Sequence, residues 1–107
     1  MEMTKKLAVA YARSATKGSK DLEDQLRRCR IFAANKNYRI LFEYCDDGVS
    51  ANSLDRDGLT NLRAVLKTGA IDVLLITSLS RLTREPKQLR MLLDEIRSNQ
   101  VTIQLAP

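Results

Sequence analysis

Histidine and tryptophan are both absent from the 107 residues. The missing histidine excludes a His general base, a Ser-His-Asp triad and a His-ligated metal. Three Tyr and two Phe are the only aromatics. That is too few for a platform stacking successive bases of a single strand. The two cysteines, Cys29 and Cys45, lack CxxC spacing. They predict neither a zinc site nor a disulfide framework, and read as reduced thiols. With four glycines there is no glycine-rich phosphate loop, so no nucleotide site of that kind. No apolar run approaches a membrane span. The opening Met1-Glu2-Met3-Thr4-Lys5-Lys6 does not read as a secretory signal. Together these absences predict a cytoplasmic chain with no membrane partner.

What is present reads as one ordinary globular domain, with 44% hydrophobic and 29% charged residues. The net charge of +5 is uneven. Residues 1–40 hold ten Lys/Arg against four Asp/Glu, whereas residues 41–107 hold eight against nine. A basic N-terminal part suits a polyanionic partner, or is simply a solvated basic face.

Leu7-Ala8-Val9-Ala10-Tyr11-Ala12 is a continuous apolar run, as in a strand buried on both faces. Leu22, Leu26, Cys29 and Ala33 recur at helical spacing and predict an amphipathic helix over 21–35. Arg39 to Tyr44 reads as a second strand, with Cys45 a small core residue at its end. A polar loop of about 13 residues follows, from Asp46 to Gly58, longer than most connections. Leu59, Leu62, Val65 and Leu66 mark a second helix, with Gly69 past its end. Asp72 to Thr77 is the third strand. Pro86 suits the first turn of a third helix with the stripe Leu89, Leu92, Leu93 and Ile96. Val101 to Leu105 is a fourth strand. The order β-α-β-α-β-α-β predicts a three-layer α/β/α domain with a mainly parallel sheet.

Ligands of such sheets bind beyond the C-terminal strand ends. Arg13, Ser14 and Thr16 follow the first strand. Asp46, Asp47, Ser50, Asp55 and Arg56 lie after the second; Ser80, Arg81 and Arg84 lie after the third. Four arginines thus share one sheet edge. A helical turn there would align Arg81 with Arg84. Guanidinium forks match phosphate oxygens; a solvated arginine surface is the plainer reading. Asp46 and Asp47 read as soluble turn formers, with a metal pair as the sharper alternative. Ser19 and Asp21 are candidate helix caps. Gln25 reads as half-buried packing that reaches toward the crevice.

These residues form a pattern. Tyr11-Ala12-Arg13, Gln25, Asp47-Gly48-Val49-Ser50, Asp55-Arg56-Asp57-Gly58-Leu59 and Ser80-Arg81-Leu82-Thr83-Arg84 occur in order and spacing. The chain resembles the catalytic domain of serine site-specific recombinases, the resolvase/invertase family. The resemblance implies a resolvase-like fold over residues 1–107, with the family's dimer helix and DNA-binding region outside them. It implies DNA as partner, and homo-oligomers: a dimer, and a synaptic tetramer in the full-length protein. It also implies cleavage and rejoining of DNA strands, in a transposon or phage setting, through a 5′-phosphoserine intermediate with no metal or nucleotide cofactor. Arg13, Arg56, Arg81 and Arg84 would bind and polarise the phosphate, with Gln25 and Ser50 in support.

The family pattern Tyr-x-Arg-x-Ser-Thr meets Tyr11-Ala12-Arg13-Ser14-Ala15-Thr16 here. The serine position holds Ala15, which has no nucleophilic atom. Ser14 and Thr16 are each one residue off, and a one-residue step turns a strand side chain to the other face. Three readings follow: a disarmed chain, by engineering or natural decay; Ser14 or Thr16 as alternative nucleophile; or an alignment displaced by one. Ser80 stands where many members carry Asp. Beside the strand transferase stand a non-catalytic self-association or regulatory module on DNA, and a phospho-acceptor signalling domain using Asp46 or Asp47. The last predicts saturable binding of a divalent cation on titration; the recombinase reading predicts none.

Overall fold

A computed structural model describes residues 5–50 and 54–107. Its elements are β1 (Lys6–Ser14), α1 (Asp21–Lys36), β2 (Tyr38–Asp47), α2 (Asp57–Leu66), β3 (Val73–Ile76), a 3₁₀ turn (Leu79–Arg81), α3 (Pro86–Ser98) and β4 (Thr102–Leu105). The four strands pair in parallel, in the order β2-β1-β3-β4. The central place of β1 explains its apolar run, because both of its faces are covered. Val9 and Tyr11 face Leu59, Leu62 and Leu66 of α2, and Leu92 and Ile96 of α3. Ala8, Ala10 and Ala12 face Leu26, Cys29 and Ala33 of α1. Alanines on that side let α1 lie close to the sheet. The result is the expected α/β/α sandwich.

The element borders differ where pairing outweighs local polarity. β2 runs on through Asp46 and Asp47 because these pair with Arg13 and Ser14 of β1. The long loop therefore shrinks to residues 48–56; its Ala51, Asn52 and Ser53 lie outside the described residues. Cys45 is exposed, not a core residue, because β2 is an edge strand. Cys29 is buried, and burial, with the Glu43 charge adding, pushes its thiol up to about 11. Both thiols are free. The 3₁₀ turn ends at Arg81, so no helical turn aligns Arg81 with Arg84.

Side chains tie the layers together. Arg30 of α1 grips Glu43 of β2 and Glu23 of its own helix. Arg63 of α2 forks onto Glu95 of α3 at 2.7 and 2.9 Å, holding that carboxyl below its ordinary range. Glu85 caps α3 through the Lys87 and Gln88 amides, with Pro86 in the first turn as expected. Neither Ser19 nor Asp21 caps α1: the N-cap position is Lys20, Ser19 accepts the Asp21 amide in the turn before it, and the Asp21 carboxylate goes to Gln25 and Arg81 instead. No helix among the described residues is long and apolar enough to cross a membrane.

Gly58, at the start of α2, sits against the end of β2. A Cβ there would lie 2.4 Å from the Cys45 carbonyl oxygen and 2.8 Å from Asp46 Oδ2. Neither atom moves cheaply, since one is backbone and the other a buried cap. Gly58→Ala is expected to cost about 1–3 kcal/mol, read as a lower urea midpoint. An unchanged midpoint would mean that α2 does not need this close approach.

Candidate active site

The C-terminal ends of β1, β2 and β3 share one rim of the sheet, and a buried tyrosine organises it. Tyr11 is fully buried, so its hydroxyl needs partners inside the protein. It donates to Asp46 Oδ2 at 2.6 Å and accepts from Arg56 Nη1 at 3.0 Å. Burial, then the bond to Asp46, raises its pKa far above the ordinary value, so the phenol stays neutral. Asp46 also accepts the Gly58 and Leu59 amides at 2.7 and 2.9 Å. Its carboxylate thus caps α2 from a neighbouring strand, where the helix dipole favours a negative charge. Arg56, at the N-cap position itself, offers no side-chain cap.

Arg56 is buried as well. It donates to the carbonyls of Arg81, at 3.3 Å, and of Leu82. Arg13, only 2% exposed, sends Nε to the Arg81 carbonyl, Nη1 to that of Val49 and Nη2 to that of Ser80, at 3.3, 2.9 and 3.3 Å. Both guanidinium groups therefore hold the loops after β2 and β3 by their backbones. Arg81 donates from Nη1 to the Arg13 carbonyl at 3.2 Å, and its Nη2 lies 3.4 Å from Asp21 Oδ2. Its Nε is buried with no partner. Arg84 is exposed, with no side-chain hydrogen bond or ion pair among the described residues. Burial, then repulsion from Arg56 and more weakly from Arg81 and Arg84, lowers the pKa of Arg13. Arg13 thus feels the other three arginines, and a site of crowded cations favours an anion.

Gln25 is fully buried rather than half-buried. It clamps the end of β1, accepting the Arg13 amide at 3.2 Å and donating to the Arg13 carbonyl at 2.9 Å. It also donates to Asp21 at 2.8 Å, which connects Asp21 to Arg81. Ala15 lies exposed just past β1. Ser14 is buried; its Oγ donates to the Thr16 carbonyl at 3.0 Å and accepts the Thr16 amide at 3.2 Å. The Ser14 carbonyl accepts the Gly48 and Val49 amides. The register irregularity in β1 lies at Ala8/Val9, not at this end. Ser50 is exposed beside Val49, whose carbonyl holds Arg13. Ser80 Oγ is 2.8 Å from Ser78 Oγ.

Asp46 and Asp47 do not act as a pair. Asp46 is buried under α2, whereas the exposed Asp47 accepts the Gly18 amide with both oxygens. Asp46 is therefore an internal cap, neither of the two roles expected for it. No group of three or more His, Cys, Asp or Glu among the described residues is placed to hold a metal ion. Sequence reasoning missed Tyr11 and Asp46 as organisers and Asp21 as a partner of Arg81. A tyrosine inside an alanine run was the available signal, since its hydroxyl cannot stay unpaired there.

Residues 8–106 match the family model "Resolvase, N terminal domain". The chain belongs to the resolvase family. Among solved structures, it is 28% identical to the C-terminal catalytic domain of ISC1926 TnpA, an IS607-like serine recombinase. The TM-score is 0.88, over 94% of this chain and 67% of that one. A resolvase family site-specific recombinase from Streptococcus pneumoniae is 26% identical, with a TM-score of 0.83, over 95% and 72%. The N-terminal catalytic domain of TP901-1 integrase shares the fold at 23% identity and a TM-score of 0.89, over 94% and 78%. No curated protein matches. The resolvase family acts on DNA in site-specific recombination, and this chain has the fold of that family's catalytic domains.

The resolvase site is predicted to lean on Asp46 more than on Tyr11. Asp46→Ala strips the phenol and two helix amides of their acceptor and should cost about 3 kcal/mol or more. Tyr11→Phe leaves both amides capped and should cost about 1 kcal/mol. Denaturant titration of the two variants checks the order; equal losses would refute it.

Proposed function

We propose that this resolvase domain holds a DNA phosphodiester at its arginine cluster without attacking it. Ala15 carries the reading. It occupies the exposed position just past β1, the family's serine position, two residues beyond Arg13, whose carbonyl accepts from Arg81. An oxygen there would attack phosphorus, form a 5′-phosphoserine ester and release the 3′-oxygen. Negative charge gathers on the non-bridging oxygens as the bonds exchange, and fixed cations lower that barrier. Arg81, whose side chain is 24% exposed, and the exposed Arg84 meet the phosphate. Arg13 and Arg56, pinned by carbonyls, hold the loops and supply field from behind. Gln25 fixes the end of β1, and Ser50 supports from the rim. A methyl group cannot attack, so the phosphodiester stays intact.

Ser14 does not replace the missing oxygen in this reading. Its hydroxyl is committed to Thr16, and the backbone bonds at its carbonyl oppose the bulge that would turn it outward. No metal or nucleotide cofactor enters the reaction, and the DNA-bound partners are further copies of the family's catalytic domain. A non-catalytic module acting through self-association on DNA is the second reading, and Ala15 favours it equally.

The test places this chain and its Ala15→Ser variant on a DNA-binding module of known target, with a nicked suicide substrate. The expected result is a covalent protein–DNA adduct with Ala15→Ser and none with the unmodified chain. Adding Ser14→Ala should leave the adduct unchanged. Equal adduct from both chains would place the nucleophile elsewhere. No adduct from Ala15→Ser, with DNA bound, would leave the non-catalytic module as the function.

A further inference from the structure

The arginines of α1 are largely neutralised. Arg27 and Arg28 lie against Asp24, and Arg30 against Glu23 and Glu43. Arg63 is held by Glu95. The basic excess of residues 1–40 is therefore a poor guide to where an anion would settle. Another set of cations is not paired. Arg84, Lys87 and Arg90 are exposed, and their side chains make no hydrogen bond or ion pair among the described residues. Asp94, four residues beyond Arg90, makes no ion pair with it.

Lys87 is also misplaced for helix stability. It sits in the first turn of α3, where the dipole favours acidic groups and none is present. The nearest acid, Glu85, has both oxygens on the Lys87 and Gln88 amides. Lys87 and Arg90 are three residues apart, hence on one face. With Pro86 they line a shallow hollow of ≈ 300 Å³. They stand about 4.5 Å apart along the helix axis.

We propose that the N-terminal half of α3 is a DNA-backbone track: Lys87 and Arg90 hold the phosphates next to the one at Arg84. This rests on the reading that the arginine cluster takes a DNA phosphodiester. It adds the direction in which the strand leaves the site, and names two residues outside the family motifs.

The test measures binding of the 107-residue chain to a fluorescent duplex of arbitrary sequence across a salt series. Each lost phosphate contact lowers the slope of log K against log salt by about 0.9. K87Q/R90Q is expected to lower it by about 1.8, with weaker binding at every salt concentration. R39Q/R97Q removes the same charge from exposed positions at the opposite edge of the sheet and is expected to leave the slope unchanged. Glutamine is a good helix former, so K87Q/R90Q should melt no lower than the unmodified chain. Equal slope changes in both double variants, or none in K87Q/R90Q while the unmodified chain binds, would overturn the track alone. Failure of the unmodified chain to bind the duplex would overturn both the track and the phosphodiester reading.

Discussion

One buried carboxylate joins the layers at the functional end of the sheet. Asp46 accepts from the Tyr11 phenol in β1 and from two amides that open α2. Tyr11 in turn accepts from Arg56, which holds the turn after β3. A charge this deep is tolerated only where donors surround it, and here three do. Gly58 is the steric condition for the arrangement, since a side chain there would meet the end of β2. The rim of a parallel sheet, formed by loops that would otherwise move independently, becomes one hydrogen-bonded unit.

That unit gives the arginines unequal tasks. Arg13 donates to three backbone carbonyls, and Arg56 to two carbonyls and the Tyr11 hydroxyl, so both act as struts that happen to be charged. Their charge still reaches the rim: after burial and Arg56, the outer Arg81 and Arg84 are also among the causes that lower the pKa of Arg13. The Arg81 side chain is 24% exposed and Arg84 is exposed. In the proposed function, contact with the anion falls to this outer pair, while the inner pair fixes geometry and field. Electrostatic stabilisation of this kind is effective because the dipoles and charges are already in place before the reaction. Ala15 lies exposed just past the end of β1, two residues beyond Arg13.

Much of the fold was legible because burial and periodicity agreed. The apolar run from Leu7 to Ala12 announced a strand covered on both faces, and the stripes of α1, α2 and α3 fell where spacing put them. The ends of β2 were not legible. Asp46 and Asp47 look like loop residues in isolation, and only pairing with Arg13 and Ser14 makes them strand. The candidate site was legible as a set of residue types on one edge. It was not legible as a structure: nothing local says that Arg13 and Arg56 turn inward, or that Gln25 clamps a backbone rather than facing a crevice. Such choices depend on which carbonyls the loops of distant segments present. Strand parity says nothing about Ser14 and Ala15, since β1 is buried on both faces up to Ser14 and Ala15 is exposed because it lies past the strand's end.

In the proposed function the arginine array is assembled in advance and lacks only one oxygen. A high-resolution crystal structure of the Ala15→Ser chain tests this. Arg13 and Arg56 are expected to keep their bonds to the carbonyls of Val49, Ser80, Arg81 and Leu82, and Ser14 to stay bonded to Thr16. The new hydroxyl should stand exposed at the rim beside Arg81. A structure in which the inner guanidinium groups swing outward, or in which the new hydroxyl turns into the core, would contradict it.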